Sequence, residues 1–413
     1  MRIVICNTLY PPIGIGGAER SVQFLAESLV KRGHEVTVLS QGMTWRPTHE
    51  VKNGVHVVRT SSPPGYRPNV YAHRSFSEKV LSRLFAKIQP QRSNLYMTEI
   101  ERGRPDIVHT NAAGGLDELW VRTADLGIPI VHTLRNHGSL CPRRMFVEGR
   151  ACEGQCTACA VRTMDRRNAG ERLSGVVGIS DYILQEHLTN GYFRSVKHRR
   201  VIPNSYESSE AGRERQAEGV TALGYLGRLH ETKGVHQLVE AMRPFEGRAR
   251  LLVAGTGNPQ FVESLKAKAG PNVEFLGFVD ADTVLTKLDA LVVPSLWREP
   301  FGRIYAEALV HGVPVIGSVH GAGRELVSEG KTGWLCDPSN APDLRAAIGR
   351  ALDELSRPNE FRSNCRKAAM RFAPDAVAAA YEAFYETAIK AGATRKTKLS
   401  VAMMPSAAIG RSA

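Results

Sequence analysis

Ala290-Leu-Val-Val-Pro-Ser-Leu-Trp-Arg-Glu-Pro-Phe-Gly-Arg-Ile-Tyr-Ala-Glu307 is the stretch on which the reading of this chain turns. The apolar run Ala290 to Pro294 reads as a buried strand. Ser295 to Glu299 is the loop after it. Gly302 to His311 reads as a helix, stopped by Gly312 and by Pro314 just beyond. In an open α/β sheet, ligands sit outside the carboxyl ends of the strands, where helix N-termini point at them. Glu299 then lies in the loop at the ligand, and Glu307 about one turn inside the helix. Two carboxylates near a phosphate-favouring helix end suit a ligand with both hydroxyls and phosphates, such as a nucleotide sugar. A plainer reading stands beside this one. Arg303 and Glu307 are i,i+4 and pair on a solvated face, and Glu299 is an ordinary loop acid before a proline.

Working outward, the chain alternates β and α signals throughout. In the first half, strands are expected at Arg2–Asn7, Glu35–Ser40, Val55–Thr60, Asp106–Thr110, Pro129–Leu134, Gly175–Ile179 and Arg200–Ile202. Val22, Leu25, Ala26, Leu29 and Val30 repeat at helical spacing after the first strand, and Gly33 ends that helix. Ser180 is an N-cap for the helix after Ile179. The polar segment Glu207 to Gly219 suits an interdomain linker. The pattern then restarts, with strands at Ala222–Leu226, Arg250–Ala254, Val273–Phe275, Ala290–Val293 and Val313–Ile316. A helical region, Asn359 to Lys390, closes the chain before a small, polar, basic tail at 391–413, which is expected to be disordered. The expected division is a first α/β domain over 1–205, a second over 206–375 and a final helix over 376–390. Two βα-repeating halves imply two doubly wound, Rossmann-like domains facing a cleft.

The 413 residues suit two domains, and 42% hydrophobic content suits two packed cores. No run of 18 apolar residues occurs, so no membrane-spanning helix is expected. The start, Met1-Arg-Ile-Val-Ile-Cys-Asn7, lacks the apolar core of a signal peptide, and a cytoplasmic chain is expected. The formal net charge of +13 gathers at Arg143-Arg144, Arg166-Arg167 with Arg172, Lys197-His198-Arg199-Arg200 and Arg395-Lys396-Thr397-Lys398. No aromatic-rich basic strand and no helix-turn-helix accompanies these clusters, which argues against nucleic acid. A phosphorylated substrate, or peripheral contact with the anionic inner face of a membrane, suits them better.

Glycine-rich turns follow several strands. Gly14, Gly16 and Gly17 lie between the first strand and its helix, where bare backbone N–H groups can bind anions. Their spacing is not G-x-G-x-x-G, and no acidic residue ends the second strand, so a dinucleotide is not indicated. In the second half, Gly224-Tyr-Leu-Gly-Arg-Leu-His-Glu-Thr-Lys-Gly234 places Arg228 and Lys233 on a loop before a helix. Such a pair can neutralise a departing diphosphate. Gly255-Thr-Gly257 and Gly277-Phe-Val279 follow the next strands.

With these residues in place, the chain resembles the retaining glycosyltransferases of family 4, also called group 1, which have the GT-B fold. The Glu299–Glu307 pair resembles their E-x7-E signature. Gly16-Gly17-Ala18-Glu19, Ile202-Pro-Asn204, Gly224-x-x-Gly227-Arg228 with Lys233-Gly234, and Glu325-x4-Gly330-x-x-Gly333 match in order. The resemblance implies a hexosyl transfer from a nucleoside diphosphate sugar to a glycan or lipid-linked acceptor, in surface polysaccharide or glycolipid assembly, with no metal needed for catalysis. It implies that Arg228 and Lys233 hold the diphosphate and that Glu299 and the Phe301-Gly302 amides meet the sugar. Glu307 would hold the ribose, with Gly227, Gly257 and Val279 on the donor side near the base. Gly16, Gly17 and His137 would lie across the cleft on the phosphate and acceptor side, and the final helix would cross back to the first domain. Where many relatives carry a histidine near the sugar, this chain has Arg135, as in a cysteine-containing subgroup with His-Thr-Leu-Arg followed by Cys-Pro. Arg135 then faces developing negative charge, with His132 and His137 as neighbours. An epimerase or hydrolase of the same fold, or a non-catalytic binder of sugar nucleotides, remains as an alternative.

Seven cysteines occur, and four crowd together as Cys141, Cys152, Cys156 and Cys159. Four thiolates at C-x10-C-x3-C-x2-C spacing, in an insertion over 138–160, suit a structural zinc ion, and less well an iron–sulfur cluster. Cys6, Cys336 and Cys365 stand alone and are expected to be inert.

Overall fold

The computed structural model describes residues 1–13, 16–44, 46–60, 92–111, 116–143, 145–147, 150–207, 220–355 and 358–402. Gly14, Arg144, most of the expected linker and residues 403–413 of the expected tail lie outside these. Strands run β1 (Arg2–Cys6), β2 (Glu35–Gln41), β3 (Thr48–Lys52), β4 (Val55–Thr60), β5 (Ile107–Asn111), β6 (Ile130–Leu134), β7 (Phe146–Val147), β8 (Arg150–Ala151), β9 (Gly175–Gly178) and β10 (His198–Val201) in the first half. The second half holds β11 (Thr221–Leu226), β12 (Ala249–Ala254), β13 (Val273–Gly277), β14 (Ala290–Val293), β15 (Val315–Ser318) and β16 (Gly333–Cys336).

An eight-stranded sheet has the order β10-β9-β6-β5-β1-β2-β4-β3, and a six-stranded sheet β13-β12-β11-β14-β15-β16. Every pairing is parallel except β3 with β4 and the small β7–β8 hairpin. The strand order reverses between β1 and β5 in one sheet and between β11 and β14 in the other. Crevices for ligands open at such switch points. The loops after β1, β11 and β14 carry Gly16–Gly17, Arg228–Lys233 and Glu299, so the topology sends all three toward such edges.

The strands expected from apolar runs are all present, with each end within two residues of the expected one. Four were not read from the sequence: the two-residue β7 and β8, and β3 and β16. β3 is an antiparallel edge strand that is almost wholly exposed, so it carries no apolar alternation. β16 has four residues and begins at a glycine. The closing helical region is not continuous. A helix over Pro358–Ala369 ends in a single turn at Met370–Phe372, and a new helix starts at Pro374, where a missing N–H costs nothing. That helix runs to Ala402, so 391–402 is helical rather than irregular.

The final helix does return to the first half. Val377, Ala378, Tyr381, Phe384, Tyr385 and Ala388 are buried with Ile3, Ile5, Val131 and Val177 of the first sheet. Gly175 on β9 makes room, since a Cβ there would stand 2.6 Å from Phe384 Cζ. Part of the positive charge also has a structural partner. Arg166 pairs with Asp117 at 2.8 Å, Arg172 pairs with Asp125, and Arg199 donates to the carbonyls of Phe193 and Arg194.

Candidate active site

The loops after β11 and β14 are stitched together by one carbonyl. Thr232 O accepts Leu296 N–H at 3.1 Å and Trp297 N–H at 3.0 Å. Thr232 lies in the single turn Glu231–Lys233, capped by His230, whose Nδ1 accepts from Thr232 N–H. Gly234 allows the close approach. Its φ is +66°, and a Cβ there would lie 1.8 Å from Pro294 O, so only glycine fits. The result places Lys233 Nζ against Glu299 Oε1 as an ion pair. Ser295 Oγ donates to the same oxygen at 3.2 Å, and Lys233 Nζ stands 5.6 Å from the centre of the Trp297 ring. Glu299 is only 8% exposed. Its backbone is fixed by a bridge to Gly321 and by Ala322 N–H donating to Glu299 O at 2.9 Å.

Glu307 lies on the helix Arg303–Val310, whose N-cap is Gly302 at φ +73°. Arg303 Nε approaches Glu307 Oε1 at 3.4 Å, so the i,i+4 pair exists, but both side chains are less than a fifth exposed rather than on a solvated face. Burial pushes the Glu307 carboxyl above its ordinary range, and the Arg303 charge only partly opposes this. Arg303 also reaches the other half. Its Nη1 donates to Gly17 O at 2.8 Å, and its guanidinium lies 5.8 Å from the centre of the Tyr206 ring. A Cβ on Gly17 would stand 2.5 Å from Arg303 Cδ, which explains glycine at that position. Gly16 precedes it as the N-cap of the helix Gly17–Lys31.

Phe301 is buried edge-on against Phe372 at 5.8 Å, so only its backbone can serve the cleft. Gly227 and Arg228 are exposed, and the Arg228 guanidinium has no hydrogen bond or ion pair among the described residues. Gly257 bridges to Leu229, and Val279 is half-buried two residues past β13.

Across the cleft, Arg135 follows β6. Its Nε donates to Asn111 Oδ1 at 2.8 Å and its Nη1 to Asn204 Oδ1. Burial lowers its pKa, yet a guanidinium stays charged in proteins. His137 was expected on the acceptor side. It is fully buried, with Nε2 2.9 Å from Tyr182 OH and its ring 5.6 Å from that of Trp297 in the second half. Burial depresses its pKa to about 3, so it is a neutral contact between the halves. His132 is a core group, bonded to Thr110 Oγ1 at 2.9 Å. Sequence reading missed the partners that fix these groups: Ser295, Trp297, Asn111 and Tyr182. Of Arg135's two partners only Asn204 fell in a recognised motif.

Cys141 Sγ and Cys159 Sγ are 3.3 Å apart, Cys152 is half-buried and Cys156 is exposed. Burial and the neighbouring thiols raise the pKa of Cys152 and Cys159. Among the described residues, no group of three or more His, Cys, Asp or Glu side chains is arranged to hold a metal ion. The insertion does touch the second half, because Arg298 Nη1 donates to Glu153 O at 3.2 Å. Cys6, Cys336 and Cys365 are buried, and burial pushes the last two thiols up to about 12. No described helix is long and apolar enough to cross a membrane.

Known proteins resemble this chain over most of its length. The family model described as Glycosyltransferase Family 4 matches residues 15–209, and that described as Glycosyl transferases group 1 matches residues 209–371. A 42.6 kDa protein of the cps region of Klebsiella pneumoniae is 31% identical over 332 residues, covering 79% of this chain and 87% of its own. The glycogen synthase of Mycobacterium tuberculosis is 28% identical over 397 residues, covering 91% of each chain. Among solved structures, the sucrose-phosphate synthase of Thermosynechococcus elongatus superposes with a TM-score of 0.69 at 21% identity, over 94% of this chain and 99% of that one. Anabaena HepE in complex with UDP gives 0.63 at 18% identity, over 97% and 100%. The two family matches meet at residue 209, between the two sheets, and the chain belongs to the group 1 glycosyl transferases, glycosyltransferase family 4, with the GT-B fold.

Proposed function

We propose that this glycosyltransferase moves a sugar, with retention, from a nucleoside diphosphate sugar to an acceptor hydroxyl. The observation that carries the proposal is the half-buried Lys233–Glu299 pair at the β11/β14 switch point, with the exposed Arg228 on the same loop as Lys233 and unpaired among the described residues. In the free enzyme, cation and carboxylate neutralise one another. An arriving diphosphate competes for Lys233 and engages Arg228, which frees Glu299 to accept hydrogen bonds from sugar hydroxyls. The Phe301-Gly302 amides at the start of the helix Arg303–Val310 add to that contact. Glu307 takes the ribose hydroxyls, and Gly227, Gly257 and Val279 line the donor toward the base. HepE, with the same fold, binds UDP and UDP-glucose, which supports such a donor.

Front-face displacement suits the surroundings. With donor bound, Glu299 is engaged by Ser295 and the sugar hydroxyls, and Glu307 by Arg303 and the ribose, so neither is free as a nucleophile. The bond from the anomeric carbon to the phosphate oxygen breaks as the bond to the acceptor oxygen forms on the same face. The acceptor proton passes to the leaving phosphate. Arg228, Lys233 and, from across the cleft, Arg135 stabilise the charge that develops, in place of a metal ion. Gly16 and Gly17 lie on the acceptor side. A surface glycan or a lipid-linked sugar is the acceptor favoured by the cps-region relative and by the basic surface, which suits peripheral contact with an anionic membrane. Glu299→Ala tests the assignment. Release of nucleoside diphosphate in the presence of acceptor should vanish while the thermal transition persists. Full activity in that variant removes the central claim.

A further inference from the structure

The helix Asp181–Thr189 belongs to the first half, but its N-terminus is completed by the second. Its N-cap is Ser180, whose Oγ accepts Ile183 N–H at 3.1 Å. The two preceding N–H groups have no partner within their own half among the described residues. Glu325, on the short helix Gly323–Leu326 after β15, takes both of them. Its Oε2 accepts Asp181 N–H at 2.7 Å and its Oε1 accepts Tyr182 N–H at 2.6 Å. A two-pronged carboxylate on backbone N–H groups at a helix N-terminus is a charge-assisted contact favoured by the helix dipole. The same turn makes a second link, because Ser180 Oγ donates to Pro300 O at 2.5 Å, one residue from Glu299. Tyr182 OH in turn holds His137, whose ring packs on Trp297 beside Lys233.

We propose that Glu325 is a positioning residue that holds the cleft closed, by capping a helix of the opposite half so that the Glu299 loop is seated against His137. Opening the cleft hands both N–H groups and the carboxylate to water and unseats Pro300 from Ser180. Glu325 touches no part of the donor or acceptor contacts proposed above. Its effect is on how often the two walls meet. The kinetic part of this inference rests on the glycosyl-transfer reading, whereas the conformational part does not.

Glu325→Gln tests it in the full chain. The amide keeps one acceptor and turns N–H donors toward the second backbone N–H. Small-angle X-ray scattering should show a larger radius of gyration than wild type, at an unchanged thermal midpoint. With donor and acceptor supplied, kcat should fall roughly tenfold or more, while KM for the donor is retained. Glu325→Asp, which keeps the charge, should recover part of both effects. A radius of gyration unchanged in Glu325→Gln overturns the proposal, whatever happens to kcat. If Glu325→Gln expands while no nucleoside diphosphate sugar stabilises the wild type, the closing contact stands and the donor reading falls.

Discussion

At the residue scale, the sequence named Glu299 and Lys233 as site residues but did not foretell that they pair. The pairing depends on Thr232 O gathering two N–H groups from a loop more than sixty positions away, and local sequence does not encode such a contact. Glu307 has a consequence that pH reveals. Its folded pKa lies above the ordinary glutamate value because burial disfavours the charged form. A raised folded pKa means that the native state binds the proton more tightly than the unfolded chain. The contribution is full below the unfolded pKa and is lost as pH rises through the folded one. Glu307→Gln removes this titration, so thermal midpoints measured from acid to neutral pH should fall less with rising pH than in wild type. The same variant should bind nucleoside diphosphate more weakly. Unchanged affinity would take Glu307 out of the donor site. Gly17→Ala belongs at this scale too. The added Cβ meets Arg303 Cδ at 2.5 Å, so Arg303 must move, and transfer should drop while the chain still folds. An assay of Gly17→Ala at wild-type rate would deny Arg303 a part in closing the cleft.

At the element scale, strands announced themselves where they are apolar on both faces, as parallel strands under helices are. β3 did not, because it is an exposed edge, and β16 did not, because it starts at a glycine directly after the turn at Gly330-Lys331-Thr332. The closing helical region was expected over Asn359 to Lys390 and its return was implied by the family resemblance, whereas its extension to Ala402 was hidden by a composition that is small and polar. Its anchoring predicts a cost. Phe384 is 3% exposed and fills the space over Gly175. Phe384→Ala should destabilise the chain by about 3–5 kcal/mol, read by chemical denaturation. The cysteine insertion is the element whose chemistry is open to test. Structural zinc at Cys141, Cys152, Cys156 and Cys159 requires the thiols to converge further than they do as free groups. Elemental analysis of the pure protein, with a zinc ratio near one, upholds zinc there. A ratio near zero with a Cys141–Cys159 disulfide on oxidation removes it.

At the scale of the whole molecule, the two sheets bring their switch points to one cleft, and much of what crosses it is polar. The contacts include Arg303 to Gly17 O, Ser180 to Pro300 O, Glu325 to the helix Asp181–Thr189 and Arg298 to Glu153 O, beside the ring contact of His137 with Trp297. Inter-domain contacts of that kind permit relative motion. The donor contacts proposed above all lie on the second half, so a nucleotide sugar should bind before closure and be sealed by it. A ligand that binds only the native state raises its stability by about 2.7 kcal/mol at a hundred times its Kd. A thermal-shift panel of UDP-, GDP- and ADP-sugars should therefore single out one base by its midpoint rise. Lys233→Ala should lose most of that rise, because it removes one of the two cations on the diphosphate, while Arg135→Ala should keep most of it, because Arg135 stands on the opposite wall. Equal loss in both variants would mean that the donor is gripped by both walls from the start and that binding and closure are one step.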